Sequence, residues 1–395
     1  MNVRVKGKRT KVNFFCMMFA CTLMFGSIAQ SADSIKIGVV LCITGYGGAL
    51  GTPEKEAIQV EMEKINSKGG LLGKQIEIYF EDDQSNPTNS AVATTKLIRD
   101  KSVCAVIGSS LTNNCMAMLP IFEREGVVNV SLGAGREITQ PLRKWVFRIP
   151  ATDTKLSPIL LSFAVKRLGA QKIALFHGTD ASGMMGAQGI IENVEKYNAK
   201  IIITEKFDPK DTNMTPQLAK IKAARPDVII LYGTSAPASV IAKNYQQLEL
   251  EKIPVIGSHG IPTRDFIKIA GEAVEGGRWI FLGLRGYVAE KLQPDDPYRK
   301  NVHDPFLEGL KKKYGGDKKY NVFHGNGFDG FHAVIAGLRV AGTDNRVALR
   351  DAMEKASFPG FQGEFNYTPT DHDGQDTEKN RIPVIIKGGE FWPYK

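Results

Sequence analysis

Strand-like and helix-like segments alternate along this chain in two successive series, and no other feature constrains the fold as tightly. The first series reads as a β-branched run over 34–41, a helix over 53–67 with Ile58, Met62 and Ile65 on one face, and a strand over 75–80. Asn86 followed by Pro87 is a helix cap with proline at the first helical position, opening a helix to about residue 100. A strand over 103–107, a helix over 114–125 and a strand over 127–130 complete the series. The rhythm restarts after Arg148-Ile149-Pro150, with strands over 172–176, 200–205, 228–232 and 255–257 separated by helices over 185–197, 216–224 and 237–248. Strands joined through helices run parallel, and a parallel sheet is covered by helices on both faces. The expected architecture is α/β, with two similar doubly wound parallel-sheet lobes in series.

Beyond residue 276 the pattern is sparser. An extended segment over 278–284, a basic helix ending at Lys311-Lys312-Lys313-Tyr314, helices over 328–341 and 347–356 and a strand over 382–386 are too few for a third α/β domain. They are expected to complete the two lobes, so that the chain crosses between them more than once. The expected division is 32–150 plus about 285–360 for the first lobe and 151–284 plus about 361–395 for the second. The Lys311 to Lys313 run is the solvated last turn of a helix, where cations suit the dipole.

The net charge of +9 suggests an anionic macromolecular partner until its location is considered. Arg4, Lys6, Lys8, Arg9 and Lys11 all lie in the first 31 residues, which contain no acid, so five of the nine charges belong to this leader. An apolar run from Phe14 to Phe25 follows, and then the small residues Ser27, Ala29 and Ser31. That is the layout of a secretory signal peptide cleaved near 29–31. The run is too short for the roughly 20 residues that span a bilayer. Cys21 invites a lipidated N-terminus, but Phe19 is bulky where such processing wants a small residue. The expectation is an exported, periplasmic protein, and a net charge of +4 spread through mixed charge, without an aromatic-basic stripe, gives no reason to expect nucleic acid.

Export reads the cysteines in an oxidising compartment. Cys42, Cys104 and Cys115 remain after cleavage and allow one bridge at most, Cys104–Cys115 or Cys42–Cys115. The six histidines are scattered, with no metal-ligand spacing, so no metal and no cofactor is expected. Gly-x-Ser-x-Gly is absent and no triad spacing occurs, so no catalytic residue is assigned. The acidic pairs Asp82-Asp83 and Asp295-Asp296 read as solvated surface.

In parallel α/β sheets, ligands sit off the carboxyl ends of the strands, at the helix N-termini. The first such loop, Thr44-Gly45-Tyr46-Gly47-Gly48-Ala49-Leu50-Gly51, is glycine-rich, but Leu50 occupies the place of the third glycine in the dinucleotide fingerprint. Gly108-Ser109-Ser110-Leu111-Thr112-Asn113-Asn114 and Ser131-Leu132-Gly133-Ala134-Gly135 follow the third and fourth strands. Their hydroxyl and small residues can hold a carboxylate through side-chain O–H and backbone N–H groups.

Several stretches carry a family resemblance. Ile35-Lys36-Ile37-Gly38-Val39-Val40 with Thr44-Gly45, Ile65-Asn66-Ser67-Lys68-Gly69-Gly70-Leu71-Leu72-Gly73-Lys74, Asp82-Asp83-Gln84-Ser85-Asn86-Pro87, Val106-Ile107-Gly108-Ser109 and Asp371-His372-Asp373-Gly374 resemble the leucine/isoleucine/valine-binding proteins, type I solute-binding proteins of ABC importers. The resemblance implies two lobes joined by a three-strand hinge, a monomer that closes on a small ligand and docks on a membrane permease. A ligand-sensing receptor feeding a separate signalling partner is the alternative. Thr112 falls where the family uses a serine hydroxyl on the ligand carboxylate, and Gly133 and Gly135 fall near its other carboxylate contacts. Leu50, Ser182 and Ser235 replace aromatic residues of the amino-acid binders. His259 stands where those members hold the α-ammonium with a glutamate. Either Asp180 takes over the ammonium or the ligand, a small carboxylate, has no amine. Tyr46, Ser131 and Asn326 complete the candidate set.

Overall fold

The computed structural model describes residues 1–3, 7, 34–375 and 381–394. The leader expected over 1–31 lies almost entirely outside the described residues. The first series forms β1 (Ile35–Leu41), α1 (Gly48–Asn66), β2 (Ile76–Asp82), α2 (Pro87–Asp100), β3 (Ala105–Gly108), α3 (Thr112–Glu125), β4 (Val128–Ser131) and β5 (Val146–Arg148). These strands make a five-stranded sheet, β2-β1-β3-β4-β5, with every pair parallel. Parallel central strands are buried on both faces, which is why β1 reads Ile-Lys-Ile-Gly-Val-Val-Leu without alternation. Asn86 caps α2 as its sequence suggested, accepting the N–H groups of Thr88 and Asn89 with Pro87 at the first turn.

The second series contains α4 (Asp153–Leu168), β6 (Lys172–Gly178), α5 (Ala181–Asn193), β7 (Lys200–Phe207), α6 (Thr215–Ala224), β8 (Val228–Tyr232), α7 (Ser235–Gln247), β9 (Val255–Gly257), α8 (Arg264–Ala270) and β10 (Trp279–Leu284). Helix α4 was not anticipated. Pro158 lies inside it, removing a backbone donor and hiding a segment whose Leu156, Leu160, Leu161, Phe163 and Ala164 are all buried.

The remainder supplies α9 (Asp304–Tyr314), α10 (Val322–Ala341), α11 (Arg346–Met353), β11 (Ser357–Pro359), β12 (Glu364–Asn366), β13 (Arg381–Lys387) and β14 (Glu390–Pro393). The last two strands join the second sheet antiparallel, giving the order β14-β13-β10-β9-β8-β6-β7. Helix α10 crosses α1 so closely that a Cβ at Gly327 would lie 2.3 Å from the Glu54 carbonyl oxygen. Phe358, Phe365 and Tyr367 are buried in the first lobe's core, so that lobe draws on the chain beyond residue 361, and the chain rejoins the second sheet at Arg381. Three passages between the sheets result: after β5, after β10 and before β13.

Two of those passages are tied together. Arg148, fully buried at the end of β5, forms an ion pair with Asp373 at 2.6 Å, and its backbone N–H donates to the His372 carbonyl at 2.9 Å. Burial pushes the Asp373 carboxyl up, but Arg148 beside it and the Thr139 hydroxyl outweigh that and hold it below the usual carboxylate range. The Lys311 to Lys313 turn is exposed as expected. Of the Asp82-Asp83 pair, which the sequence suggested was solvated, Asp82 is part-exposed but Asp83 is not. Asp83 is completely buried, accepting hydrogen bonds from the Ser90 and Ser109 hydroxyls at 2.9 and 2.5 Å, and thereby fastens the loop after β2 to the loop after β3.

Candidate functional site

The loops at the carboxyl ends of the two sheets face each other and enclose a cavity of about 40 Å³. Its first wall is Leu50, Ser110, Leu111, Thr112, Leu132 and Ala134, and its second is Ser182, Gly233, Thr234, Ser258, His259 and Gly260. Pro150 from the first passage and Phe323 and Asn326 from α10 close the sides. Five of the anticipated residues therefore line it: Leu50, Thr112, Ser182, His259 and Asn326.

On the first wall, α3 begins at Thr112 without any side-chain cap. Its first-turn N–H groups and the positive end of its dipole are thus not taken up by a capping side chain. Thr112 Oγ1 accepts the Gly135 N–H at 3.1 Å, which leaves its hydroxyl hydrogen free to donate. Ser110 Oγ donates to Glu54 Oε2 at 2.5 Å and accepts the Cys42 N–H at 3.2 Å. Asn326 Nδ2 donates to Glu54 Oε1 at 3.5 Å, while its Oδ1 accepts from Gln362 Nε2 at 2.8 Å. Glu54 is fully buried behind these two lining residues, and burial pushes its pKa up to about 8 despite both hydrogen bonds. A neutral acid beneath the wall leaves the cavity hospitable to an anion.

Ser131, Gly133 and Gly135 stand behind this wall. Ser131 Oγ donates to Cys115 Sγ at 3.1 Å and accepts the Gly133 N–H at 3.3 Å. A Cβ at Gly133 would meet Cys115 Sγ at 2.8 Å. Arg148 Nη1 donates to the Ala134 and Gly135 carbonyls at 3.1 and 2.8 Å, fixing the loop from the passage side. Cys42, Cys104 and Cys115 are all buried free thiols, so neither anticipated bridge is present. The Cys115 thiol is pushed up to about 12 by burial and donates to the Ser109 carbonyl at 3.0 Å.

On the second wall, Asp180 is the N-cap of α5, with Oδ1 accepting the Gly183 N–H at 2.9 Å, and burial raises its pKa. Asp180 is not among the residues lining the cavity. Tyr46, half-buried against the second lobe's core, lies close enough to Asp180 for that charge to add to the effect of burial on its hydroxyl. His259 is singular among the six histidines. His177, His303, His324, His332 and His372 each hydrogen-bond a carbonyl or carboxylate oxygen. His259 Nδ1 is buried without a partner, and burial with the Arg381 and Arg148 charges pushes its pKa down to about 3. Thr234 and Ser235, at the start of α7, are 7% and 2% exposed, and both hydroxyls also lack partners.

Thr234, Ser258, Leu132 and Phe323 were not singled out from the sequence. Thr234 lies two residues past the end of β8 and was identifiable by the strand-end rule; Phe323 lies in a helix and carries no such signal. Two wider surface grooves are present: one of about 530 Å³, where the lining Lys220 and Glu205 pair at 3.2 Å, and one of about 540 Å³, whose Lys96 is engaged by Glu81 at 2.7 Å and whose Arg99 and Arg124 are engaged by Glu125 at 2.8 and 3.0 Å. Among the described residues no cluster of three or more metal-ligating side chains occurs, and no helix is long and apolar enough to cross a membrane.

The sequence profile of a periplasmic binding protein family matches residues 34–377. The leucine-, isoleucine-, valine-, threonine- and alanine-binding protein of Pseudomonas aeruginosa is 26% identical over 372 residues, covering 94% of this chain and 92% of its own. An extracellular ligand-binding receptor from Rhodopseudomonas palustris HaA2 superposes with a TM-score of 0.82 at 27% identity, covering 92% of this chain and all of that one. A solute-binding protein of an ABC transporter from Rhodopseudomonas palustris BisB5, in complex with 3,4-dihydroxybenzoic acid, shares the fold at a TM-score of 0.77, 21% identity, and 91% and 95% coverage. Such proteins bind solutes and are not enzymes. With a matched profile running through both lobes and the cleft between them, the chain belongs to the periplasmic binding protein family.

Proposed function

We propose that the protein is exported, loses its leader near 29–31, and as a monomer captures a small carboxylate without an α-ammonium group for delivery to the permease of an ABC importer. The observation that carries this reading is the chemistry of the cavity. None of its lining residues is acidic. An ammonium needs an anionic acceptor, and neutral His259 cannot supply one. Asp180 is engaged at the α5 cap, and Glu54 holds its proton at neutral pH. A carboxylate instead meets the Thr112 hydroxyl and the uncapped N-terminus of α3. One relative is named for binding leucine, isoleucine, valine, threonine and alanine, and another protein of this fold is in complex with 3,4-dihydroxybenzoic acid, so the side chains of this cleft are what discriminate.

Thermal-shift measurements on the purified protein with hydrophobic amino acids beside aliphatic and aromatic acids test the reading. Acids are expected to raise Tm, the gain being about 2.7 kcal/mol at 100 times Kd. Shifts with leucine or valine in place of the acids would overturn the amine-free ligand.

A further inference from the structure

The cavity has a second electropositive wall that a monocarboxylate would leave empty. Helix α7, thirteen residues long, begins there at Ser235 and, like α3 opposite, has no side-chain cap. Its positive end therefore faces the cleft from the second lobe as that of α3 does from the first. A helix start alone would say little. Here Thr234 and Ser235 are each more than nine-tenths buried, Thr234 lines the cavity, and neither hydroxyl has a partner, although buried polar groups are as a rule paired. His259 Nδ1 is a third unpartnered atom of the same wall. The Arg381 guanidinium, whose Nε is also buried without a partner, lies near enough to act on His259. The α5 start differs, being satisfied by Asp180 and by Asn113 Oδ1 on the Ala181 N–H.

Building on the carboxylate reading above, we propose that Thr234, Ser235, His259 and the start of α7 form a subsite for a second anionic group, so that the ligand is a compact dicarboxylate bridging two opposed helix N-termini. One carboxylate takes the Thr112 hydroxyl and the α3 N–H groups. The other takes the Thr234 hydroxyl on the cavity wall and the first N–H groups of α7, with the unpartnered Ser235 hydroxyl next to it at the helix start. A ligand anionic at both ends is held by both lobes at once, which ties its recognition to closure.

The test is calorimetric titration of the protein with length-matched sets: butanoate, butanedioate and the butanedioate monoamide, then hexanoate and hexanedioate, then benzoate and benzene-1,4-dicarboxylate. In at least one set the diacid is expected to bind ten times or more tighter than its monoacid and monoamide. The double variant Thr234→Val with Ser235→Ala removes hydroxyls that hold no part of the fold, so it should melt normally and bring the diacid-to-monoacid ratio toward one. Monoacids binding as tightly as diacids, or a ratio the double variant leaves intact, would overturn the second subsite while leaving the carboxylate reading standing. A folded protein that binds none of these acids would overturn both.

Discussion

Asn113 Oδ1 accepts the backbone N–H of Ala181 at 3.0 Å, a hydrogen bond from the first turn of α3 in one lobe to the first turn of α5 in the other. It satisfies one of the N–H groups that a helix start leaves without a partner, and it does so across the cleft. Arg136 reaches Glu192 of α5 at 3.1 Å nearby, and a Cβ at Gly135 would lie 2.7 Å from Met185 Sδ. The side of the cleft at α5 is thus closed by direct contact between lobes. Ligand-driven closure is a shift in population, and its size is set by contacts made only when the lobes meet.

Asn113→Ala therefore acts on closure and not on the fold. With the lobes apart, water satisfies the Ala181 N–H; with them together, the variant buries it unpaired, at a cost of about 1–2 kcal/mol. The expected outcome is a Kd raised about fivefold to thirtyfold with a ligand-free Tm within a degree or two of the parent, measured by titration calorimetry and thermal melting. An unchanged Kd would show that closure does not depend on this contact.

The lobes were legible in the sequence because parallel strands buried on both faces are written as unbroken apolar runs, as in β1 and in Val228-Ile-Ile-Leu-Tyr232. Helix α4 was not, since Pro158 interrupts a pattern that its buried leucines and Phe163 nevertheless stabilise through packing. At the site, Thr112 and His259 were found through strand-end position and family likeness. Asp83 and Glu54 were misjudged or passed over for the same reason: a carboxylate reads as surface until its partners are known. Asp83 finds Ser90 in the helix that follows it and Ser109 from another loop, and Glu54 finds Ser110 and Asn326 from segments distant in sequence.

Glu54 should make stability depend on pH. Its carboxyl ionises near 4.5 in the unfolded chain and near 8 in the folded protein, so between those values the native state binds a proton that the unfolded state lacks. Stability then falls as pH rises through this window, by at most about 1.4 kcal/mol per pH unit, and levels off above it. Facing Glu54 are Ser110 and Cys42 from the loops of the first sheet, Asp83 beyond them, and Asn326 on α10, while His324 and His332 of α10 are engaged with Glu56 and Glu61. Glu54→Gln keeps hydrogen-bonding groups for Ser110 and Asn326 and should flatten this profile in urea unfolding at pH 5, 7 and 9. A parent-like slope in the variant would assign the titration elsewhere.

His259 predicts the opposite sign on the acid side. Its imidazole is held neutral to about pH 3 in the folded protein against 6.5 when unfolded, so it lends stability above 6.5 that is lost as pH falls toward 3. His259→Gln should lose less stability than the parent between pH 6.5 and 4, a difference of a few kcal/mol at most given the partly exposed ring. Parallel profiles for the two proteins would mean that the imidazole protonates freely in the folded cavity.

Arg148 and Asp373 set the cost of disturbing the passages between lobes. Removing one member of a buried pair strands the other charge, at about 3–5 kcal/mol. Arg148→Ala also frees the Ala134 and Gly135 carbonyls and so loosens the loop whose Gly135 N–H donates to Thr112. Replacing both charges together, with Arg148→Met and Asp373→Leu, removes the stranded charge but not the loss at the loop. Urea unfolding should therefore show the single variant destabilised by several kcal/mol and the double variant recovering much of it, while ligand affinity stays weakened in both. A double variant with parental affinity would mean that the Arg148 contacts to the 134–135 carbonyls contribute nothing to the geometry of the binding wall.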